Sequence, residues 1–558
     1  MDANATTRPW LTGYPPGVPA SLAPLEFQNL GEMIERAAAR FGERPAFESF
    51  GVRLTFKEVD RLSRDFAAFL QSNLGLRAGD RVAVMLPNLL QYPIALFGIL
   101  RAGLVAVSVN PLYTARELQL QLKDSGASAI VIFEGAGPAL QQALPHTPMR
   151  HVVLTSAGDL LGPFKGRFID LLLRRVKKVV PRADLRGAVR FQRALALGAK
   201  LRLDQPAVEP KDLAFLQYTG GTTGVSKGAM LTHANILSSL AQLRVFFAAG
   251  AREGEEVAVA ALPFYHILAL VLNCLLFFSI GGLQLLIANP RDIRRLVATL
   301  SGSGFSVFVG VNTLFNALLR EPAFARLDFK SLRLAGGCGA PVQAPVAQRW
   351  KSVTGCPLLE GYGLTEASGA VSVHPPTATE HSGTTGFPVP DTEIEIRDEA
   401  GGCLPVGQVG QVFVRGPQVM AGYWQRPEET ARVLGGDGFL ATGDLGAITA
   451  EGYLRIVDRV KDMILVSGFN VYPNEVEDIV IGHPDVAEVA AVGVPDESSG
   501  EAVKIFVVRK DPRLTSEQLI AYCRSGMTGY KVPRYVEFRD TLPKSPVGKI
   551  LRRELRGS

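Results

Sequence analysis

Residues 218–233 read YTGGTTGVSKGAMLTH, a stretch rich in glycine and hydroxyl residues that directly follows an apolar run at residues 213–216. A short apolar run bounded by turn residues is typical of a buried strand. Glycines let backbone N–H groups converge on a phosphate, hydroxyls add donors, and lysine adds a charge that can follow a polyphosphate. A plain solvated turn requires neither the lysine nor so many hydroxyls, so the stretch predicts a phosphate-binding loop. Its candidate binding residues are Thr219, Gly220, Gly221, Thr222, Thr223, Gly224 and Lys227.

This predicted loop is not a Walker A motif. That motif has a glycine directly before its lysine and a serine or threonine directly after it. In this chain Ser226 is the residue before Lys227. The sequence therefore disfavours a P-loop NTPase.

Length and composition limit the class of protein. A chain of 558 residues is too long for one compact core, so at least two domains are expected. The 20% of charged residues and 47% of hydrophobic residues are ordinary for a globular protein. The five cysteines are odd in number and have no metal-like spacing, which favours a reducing compartment without a zinc site. The N-terminus lacks an apolar secretion signal, so the expected location is cytoplasmic.

Strand-like and helix-like segments alternate along most of the chain. Strand-like runs at 81–86 and 129–133 alternate with helical segments at 92–100 and 115–122. This alternation predicts an α/β domain whose parallel strands are covered by helices.

The pattern changes after about Ile456. The sequence VDRVKD at 457–462 is charged and is not expected in a core, and a compact α+β unit of short strands and helices follows it. A domain boundary is therefore predicted near residues 458–462.

Residues 257–288 contain no Asp, Glu, Lys or Arg, so a membrane-spanning helix has to be considered. Proline, histidine, asparagine and glycine interrupt the stretch, and its uninterrupted part at 267–280 is too short to cross a bilayer. We expect instead a buried helix followed by a buried strand at 283–287.

Residues 165–193 are rich in Lys and Arg with apolar residues between them. This pattern fits a basic amphipathic surface that contacts anionic lipid, and it equally fits a solvated linker or peripheral helix. Nucleic acid is disfavoured as a partner, because no stacking platform or recognition motif accompanies the charge.

Further motifs reveal a family resemblance. In chain order they are LPFYHI at 262–267, GYGLTE at 361–366, TGD at 442–444, YLRIVDRVKDMILVSGFNVYPNEVE at 453–477 and PKSPVGKI at 543–550. With the phosphate loop, they resemble the adenylate-forming superfamily of acyl-CoA synthetases, luciferases and peptide-synthetase adenylation domains. DGFLATGDLG at 437–446, together with the stretch at 453–477, resembles bacterial long-chain fatty acyl-CoA ligases. The similarity extends from about Trp10 to the C-terminus.

The resemblance implies a fold and an activity. The fold is α/β, with a large N-terminal domain of parallel-rich sheets covered by helices, a smaller β-rich subdomain, and a small mobile α+β C-terminal domain. Residues 1–457 would form the adenylate-forming domain, 458–461 the hinge and 462–558 the lid domain. The implied reaction joins a long-chain fatty acid to coenzyme A through an acyl adenylate, with ATP and Mg²⁺ and release of AMP and diphosphate.

The resemblance also assigns the nucleotide contacts. Tyr362 packs on the adenine ring, which Gly337 and Gly339 border, and these residue types suit a flat purine. Asp444 accepts hydrogen bonds from the ribose hydroxyls, and Arg459 supports the same ribose.

Four residues are assigned to the reacting phosphates. Thr365 contacts the α-phosphate, and Glu366 is the Mg²⁺ ligand, with Thr222 as a second candidate ligand. Lys549 in PKSPVGKI is assigned as the adenylation lysine, because an ammonium there can contact both the substrate carboxylate and the phosphate.

The second half-reaction is implied to need a rotation of the small domain. Lys461 matches the hinge position and Gly468 matches the glycine beside the pantetheine tunnel. His266 in LPFYHI either steers the carboxylate or helps the thiol approach, or it is a structural histidine.

The residues leave several alternatives open. A medium-chain or aryl CoA ligase, a fatty acyl-AMP ligase, a luciferase-type oxygenase and a silent acyl-binding protein remain rivals. Residues 305–319 resemble the acyl-pocket wall of the family, but ordinary core packing gives the same composition, so the choice of long-chain acids depends on the resemblance. Relatives imply a homodimer and peripheral attachment to the cytoplasmic face of the inner membrane, which no residue pattern here establishes.

Overall fold

The computed structural model describes residues 8–219, 226–496, 498–545 and 548–556. In these ranges the strands are β1 (Pro45–Ser49), β2 (Val52–Thr55), β3 (Arg81–Met85), β4 (Val105–Ser108), β5 (Ala129–Phe133), β6 (His151–Thr155), β7 (Val189–Arg190), β8 (Leu213–Thr219), β9 (Lys227–Thr232), β10 (Val257–Ala260), β11 (Leu283–Leu286), β12 (Val307–Gly310), β13 (Leu334–Cys338), β14 (Leu358–Tyr362), β15 (Ser372–Val373), β16 (Phe387–Pro388), β17 (Glu393–Arg397), β18 (Gly410–Arg415), β19 (Leu440–Ile448), β20 (Leu454–Arg459), β21 (Ile464–Val466), β22 (Phe469–Val471), β23 (Val486–Asp496), β24 (Gly500–Arg509) and β25 (Tyr535–Phe538).

The α-helices in the same ranges are α1 (Leu30–Phe41), α2 (Phe56–Ser72), α3 (Gln91–Arg101), α4 (Ala115–Ser125), α5 (Gly137–Ala143), α6 (Pro163–Leu171), α7 (Phe191–Gly198), α8 (His233–Phe247), α9 (Ile293–Leu300), α10 (Asn312–Arg320), α11 (Ala344–Thr354), α12 (Pro427–Val433), α13 (Pro473–Ile481) and α14 (Ser516–Gly526). Two segments, Leu172–Val176 and Ala269–Phe277, are π-helical.

Two mainly parallel sheets form the large N-terminal part. The seven-stranded sheet has the order β7-β6-β5-β3-β4-β8-β9, and of these pairs β8 with β9 is antiparallel. The nine-stranded sheet has the order β16-β15-β14-β13-β12-β10-β11-β1-β2 and is parallel from β14 to β1. Helices between the parallel strands return the chain across the sheets, as such connections require. The predicted α/β class is confirmed.

Local sequence signals explain the helices that cover the strands. Helix α2 begins at a capping box, in which the Thr55 hydroxyl accepts from the backbone N–H of Glu58 at 3.2 Å and the Glu58 carboxylate accepts from the N–H of Thr55 at 2.8 Å. Helix α3 is buried along its whole length, which is why its sequence QYPIALFGILR is almost entirely apolar. Both helices pack into the core that positions the strand ends.

The uncharged stretch at 257–288 forms strand β10, the π-helix Ala269–Phe277 and strand β11. The predicted buried helix and the strand after it are confirmed, and every residue of the π-helix is buried. Sequence reasoning missed β10, because its four residues continue into the apolar run without a strong turn signal. Among the described residues, no helix has the length and apolar character to cross a bilayer.

A four-stranded antiparallel sheet, β17-β18-β19-β20, forms the smaller β-rich unit that was expected. In it, Asp444 on β19 lies opposite Arg459 on β20, so the strand register itself brings together two predicted site residues.

The C-terminal part has its own sheet and core. Strands β22-β21-β24-β23 form the sheet, and β25 pairs with β24. One core cluster of this part contains buried residues from Ile464 to Cys523, whereas the main N-terminal cluster ends at Leu454. The cores are thus separated in sequence at residues 455–463, which supports a hinge at 458–461 as a proposal.

Candidate active site

A cavity of about 2210 Å³ lies at the carboxyl ends of β13 and β14 and is closed on one side by the C-terminal part. Ligands of α/β sheets commonly bind at this end of the strands. The cavity brings together many of the predicted site residues: Thr219, Lys227, His266, Gly339, Tyr362, Thr365, Glu366, Asp444, Arg459, Lys461 and Lys549. Five predicted loop residues lie outside the described residues: Gly220, Gly221, Thr222, Thr223 and Gly224.

Two predicted glycines do not line this cavity in the observed arrangement. A Cβ atom on Gly337 would lie 2.1 Å from Cγ2 of Val342, so the glycine makes room for that side chain. Gly468 is exposed in the turn between β21 and β22, where its φ of +83° favours glycine. Their roles beside the adenine and the pantetheine tunnel remain predictions.

Tyr362, Asp444 and Arg459 form one connected polar group. The Tyr362 hydroxyl donates to Oδ2 of Asp444 at 2.6 Å, and Nε of Arg459 lies 3.4 Å from Oδ1 of the same carboxylate. Burial is the largest cause that raises the pKa of Tyr362 well above its usual value, and the Asp444 carboxylate is the next largest. The hydroxyl therefore stays protonated and acts as a donor. Asp444 is 8% exposed and still has acceptor capacity for a ligand hydroxyl.

A second polar group surrounds Glu366. The Tyr423 hydroxyl donates to Oε1 of Glu366 at 2.7 Å, and the Lys227 ammonium lies 5.2 Å from the centre of the Tyr423 ring. Lys227 also forms an ion pair with Glu429 of α12. Thr365 and Glu366 begin the short 3₁₀ helix Thr365–Ala367 at the end of β14, which directs both side chains to the cavity.

The donor set fits a magnesium ion that is shared with phosphates. No cluster of three or more His, Cys, Asp or Glu residues suitable for a metal is found in the part of the chain that the structure describes. Mg²⁺ is commonly held by one or two carboxylates together with substrate phosphates and water, so it does not require such a cluster. Glu366 supplies the carboxylate, and the role of Thr222 lies outside the described residues.

Lys549 enters the cavity from the C-terminal part on a tight turn. The backbone N–H of Gly548 donates to the Ser545 carbonyl at 2.9 Å, and the N–H of Lys549 donates to the Ser545 hydroxyl at 3.1 Å. Gly548 has a φ of +87°, and its carbonyl accepts from the Thr313 hydroxyl of α10 at 3.0 Å. The turn is therefore fixed both within the C-terminal part and to the N-terminal part.

The electrostatic surroundings tune this lysine. Burial and, to a smaller extent, the Arg459 guanidinium lower the pKa of Lys549, and Asp444 acts in the opposite direction; together these effects bring the pKa to about 8. The ammonium form still predominates at neutral pH, so Lys549 can neutralise an anionic ligand in the cavity.

His266 lines the cavity next to Tyr265, with the two ring centres 4.7 Å apart. Burial lowers the pKa of His266 to about 4, so the imidazole is neutral near pH 7. It can donate or accept a hydrogen bond, but it does not attract a carboxylate as a cation. The choice between a substrate role and a structural role therefore stays open.

One arm of the cavity is apolar. Its walls come from α8, the π-helix and β12, and they include Phe247, Val271, Leu276, Phe277 and Val309. The structure thus brings part of the uncharged stretch 257–288 together with part of 305–319, the segment that resembles the acyl-pocket wall of the family.

The expectation that residues 457–462 lie outside the core is wrong for Asp458, which is only 2% exposed, whereas Val460 and Lys461 are exposed. Its burial is possible because Oδ1 accepts from the Arg552 guanidinium at 3.1 Å and Oδ2 accepts from the backbone N–H of Asn474 at 2.9 Å. The partner arginine lies 94 residues away in the sequence. The sequence did not identify Arg552 or Thr313 as functional residues. Their position near segments already assigned to the site was the only sign of a role that the sequence offered.

Comparison with known proteins agrees with this geometry. The model of the family described as AMP-binding enzyme matches residues 34–424, and that of the AMP-binding enzyme C-terminal domain matches residues 475–549. The long-chain-fatty-acid–CoA ligase of Escherichia coli is 56% identical over 98% of this chain and 97% of its own length. The protein of the same name from Salmonella typhimurium is 55% identical over the same shares.

A solved structure shows the same fold. The crystal structure of an anthranilate CoA ligase in complex with anthranoyl-AMP matches with a TM-score of 0.85 and 25% identity, and it covers 97% of this chain and 98% of that one. Both domains and nearly the full length are thus accounted for, and the resemblance first suggested by the motifs is confirmed. The chain belongs to the AMP-binding enzyme family of adenylate-forming proteins.

Proposed function

We propose that this chain joins long-chain fatty acids to coenzyme A, using ATP, through an acyl-adenylate intermediate. The observation that carries the proposal is the position of Lys549, whose turn extends into a cavity that also holds Asp444, Tyr362 and Glu366 and continues into an apolar arm. The near full-length relatives named long-chain-fatty-acid–CoA ligase support the same activity.

The first half-reaction activates the carboxylate. A carboxylate oxygen attacks the α-phosphorus of ATP, the bond from that phosphorus to the bridging oxygen breaks, and diphosphate leaves. Lys549 contacts both the carboxylate and the α-phosphate and reduces the repulsion between the two anions. Thr365 donates to the α-phosphate, and Lys227 balances charge on the outer phosphates. Glu366 would hold Mg²⁺, which would neutralise further charge on the phosphate oxygens.

The nucleotide is held by the N-terminal part. Asp444 accepts from the ribose hydroxyls with Arg459 beside it, and the Tyr362 ring borders the adenine. These contacts are needed before and after diphosphate leaves, because AMP stays bound as part of the intermediate.

The second half-reaction transfers the acyl group. The sulfur of coenzyme A attacks the acyl carbon, the carbon–oxygen bond to AMP breaks, and the thiol proton passes to water. Lys549 has no role in this step, so the lid domain 462–558 rotates about the hinge 458–461, with Lys461 absorbing the dihedral change. The rotation brings the turn at Gly468 to the site.

The apolar arm selects the acid. Each buried methylene contributes about 0.8 kcal/mol, so a long chain gains several kcal/mol that a short acid lacks. The side chains of Phe247, Leu276 and Phe277 in this arm offer apolar contacts to a hydrocarbon chain.

The activity is tested with labelled diphosphate. Purified protein with oleate, ATP and Mg²⁺ should exchange label into ATP, and AMP release should require coenzyme A for full turnover. A preference for hexanoate or benzoate over oleate would show a medium-chain or aryl ligase. Adenylate formation without thioester formation would show a fatty acyl-AMP ligase, and no exchange with any acid would refute adenylation altogether.

The membrane contact expected from the sequence is also a proposal, and one surface supports it. Helix α6 exposes Phe164 to 88% and Phe168 to 63%, and Leu171 continues the same helical face. Exposed basic residues surround this face: Lys165, Arg167, Arg175, Lys177 and Lys178. Exposed aromatic residues among cations favour an anionic bilayer, to which each cation contributes about 1 kcal/mol.

Vesicle sedimentation tests this surface. The chain should bind vesicles of phosphatidylcholine with phosphatidylglycerol, and bind vesicles of phosphatidylcholine alone much less. The double variant Phe164→Ser with Phe168→Ser should lose most binding, whereas Val406→Ser, which removes another exposed apolar side chain, should not. Equal binding by both variants would reject the surface.

Location and assembly follow as related proposals. Lipid binding through α6 would hold the chain at the cytoplasmic face of the inner membrane. The homodimer implied by the resemblance is a separate proposal, which analytical ultracentrifugation of the purified chain tests directly.

A further inference from the structure

Arg552 lies three residues after Lys549 and is largely withdrawn from solvent, with 15% of its side chain exposed. Its Nε and Nη2 donate to the two carboxylate oxygens of Glu477 at 3.0 and 2.9 Å. This two-point contact joins the Lys549 turn to α13 inside the C-terminal part. Arg552 therefore belongs to the framework that carries Lys549.

The same guanidinium also contacts the N-terminal side of the proposed hinge. Its Nη1 donates to Oδ1 of Asp458 at 3.1 Å, and Asp458 lies on β20, the last strand of the four-stranded sheet. Asn474 at the start of α13 reaches the same place, since its N–H donates to Asp458 and its side-chain amide donates to the Val457 carbonyl at 2.9 Å. Residues before and after the hinge thus meet at one buried carboxylate.

We infer that Asp458 and Arg552 form a clamp across the hinge that holds the lid in the orientation in which Lys549 reaches the adenylation site. The inference rests on the proposed function. Asp458 and Arg552 act as positioning residues through Lys549 and are assigned no contact with the reacting atoms.

The geometry explains why the clamp is specific to one orientation. A rotation about Lys461 carries Arg552, Glu477 and Asn474 with the lid, while Asp458 stays on β20. The bonds between Arg552 and Glu477 therefore survive the rotation, and the bonds to Asp458 break. Of these two sets of bonds, those to Asp458 are therefore the ones that can favour one lid orientation over the other.

The charges give the clamp its strength. Burial raises the pKa of Asp458, and Arg552 together with two backbone N–H groups opposes that rise, so the carboxylate depends on these partners. When the lid rotates, this buried carboxylate must find water or another donor. Without the carboxylate charge, rotation of the lid should cost less free energy. The variant enzyme should therefore occupy the adenylation orientation for a smaller fraction of the time.

Asp458→Asn is the sharper test, because it keeps the shape of the side chain and leaves the contact between Arg552 and Glu477 intact. Diphosphate exchange with oleate should fall about tenfold, which is ~1.4 kcal/mol. Conversion of supplied oleoyl-AMP to the thioester should stay within about twofold or increase. Arg552→Met should show the same split, and Arg552→Lys should recover part of the exchange rate.

A matched control removes an acidic group that does not cross the hinge. Glu537→Gln alters ion pairs within the lid, where Glu537 lies 2.8 Å from Lys504 and 2.7 Å from Arg539. Neither half-reaction should change. Thermal unfolding reports whether Arg552→Met destabilises the lid, and in that case Asp458→Asn decides the question.

A readout apart from activity separates this inference from the proposed function. Trypsin should cleave after Lys461 faster in Asp458→Asn than in the wild type, because the clamped hinge is held more firmly. Unchanged exchange and unchanged cleavage would overturn the clamp, as would equal losses in both half-reactions. If the wild type exchanged no diphosphate with any acid, the proposed function would fail and the cleavage rates alone would decide the clamp.

Discussion

The two sides of the cavity are built differently. On the nucleotide side, Asp444 and Arg459 face each other across a strand pair, and Tyr362 at the end of β14 donates to the same carboxylate. On the lid side, Lys549 stands on a turn whose backbone is joined to the N-terminal part by the hydrogen bond from Thr313. Strand pairing fixes the first group in every lid orientation, whereas the second depends on how the lid lies.

This difference suggests a division of labour. The residues that contact the nucleotide, Tyr362, Asp444 and Arg459, should serve both half-reactions, because the nucleotide remains bound throughout. Residues on the lid should serve one half-reaction each, because the lid has to move between them. Variants on the two sides should therefore differ in which steps they slow, and not only in how much.

The largest expected effect is that of Lys549→Ala. Diphosphate exchange should fall by about 10²–10³, as on removal of one donor that stabilises a developing anion. Conversion of supplied oleoyl-AMP to the thioester should remain near the wild-type rate. Lys544→Ala is a control in the same segment, since Lys544 pairs with Glu488 at 2.6 Å and does not line the cavity. Equal loss of both steps would remove the contrast between the two sides.

Asp444→Asn tests the opposite side. Loss of a charged acceptor should weaken nucleotide binding by about 1.5–3 kcal/mol, roughly tenfold to a hundredfold in the KM for ATP. The thioester step from supplied oleoyl-AMP should weaken as well, because the same ribose is held. Asp437→Asn, which removes an exposed carboxylate paired with Arg397, should change neither step. A defect confined to exchange would contradict the division of labour.

Lys461→Pro tests the motion itself. Proline fixes φ near −65°, so a hinge that must change this dihedral cannot complete the rotation. Thioester formation should fall about tenfold, ~1.4 kcal/mol, with exchange much less affected. The two rates, measured on one preparation, check this directly, and finding both unchanged would exclude Lys461 as the hinge.

Much of this arrangement could be predicted from the sequence, because it depends on local patterns. The apolar runs at 81–86 and 129–133 gave their strands, and the family motifs assigned residues such as Tyr362, Asp444 and Lys549, which lie in one cavity. The strands depend on the residues next to them in the chain, and the site residues lie in motifs whose chemistry is specific.

The rest depends on distant partners. Asp458 was expected outside the core because its segment is charged, and only Arg552, far along the chain, makes its burial favourable. Gly337 was assigned to the adenine, whereas the space it leaves is taken by Val342. No local pattern indicates which side chain will fill a gap or pair a charge after folding.

The smallest expected effect concerns pH and follows from the burial of Lys549. Its pKa is lowered to about 8, so the charged form needed for adenylation is present below that pH and is lost as the pH rises through it. The kcat/KM for diphosphate exchange should therefore fall about fourfold from pH 7 to 8.5, since this constant reports the free enzyme. The thioester step should instead rise over this range, because the thiolate is the nucleophile and its fraction in coenzyme A increases with pH. Lys549→Arg keeps its charge at all these values, so its weaker exchange activity should lack the decline. A decline that persists in Lys549→Arg would assign the titration to another group on the nucleotide side.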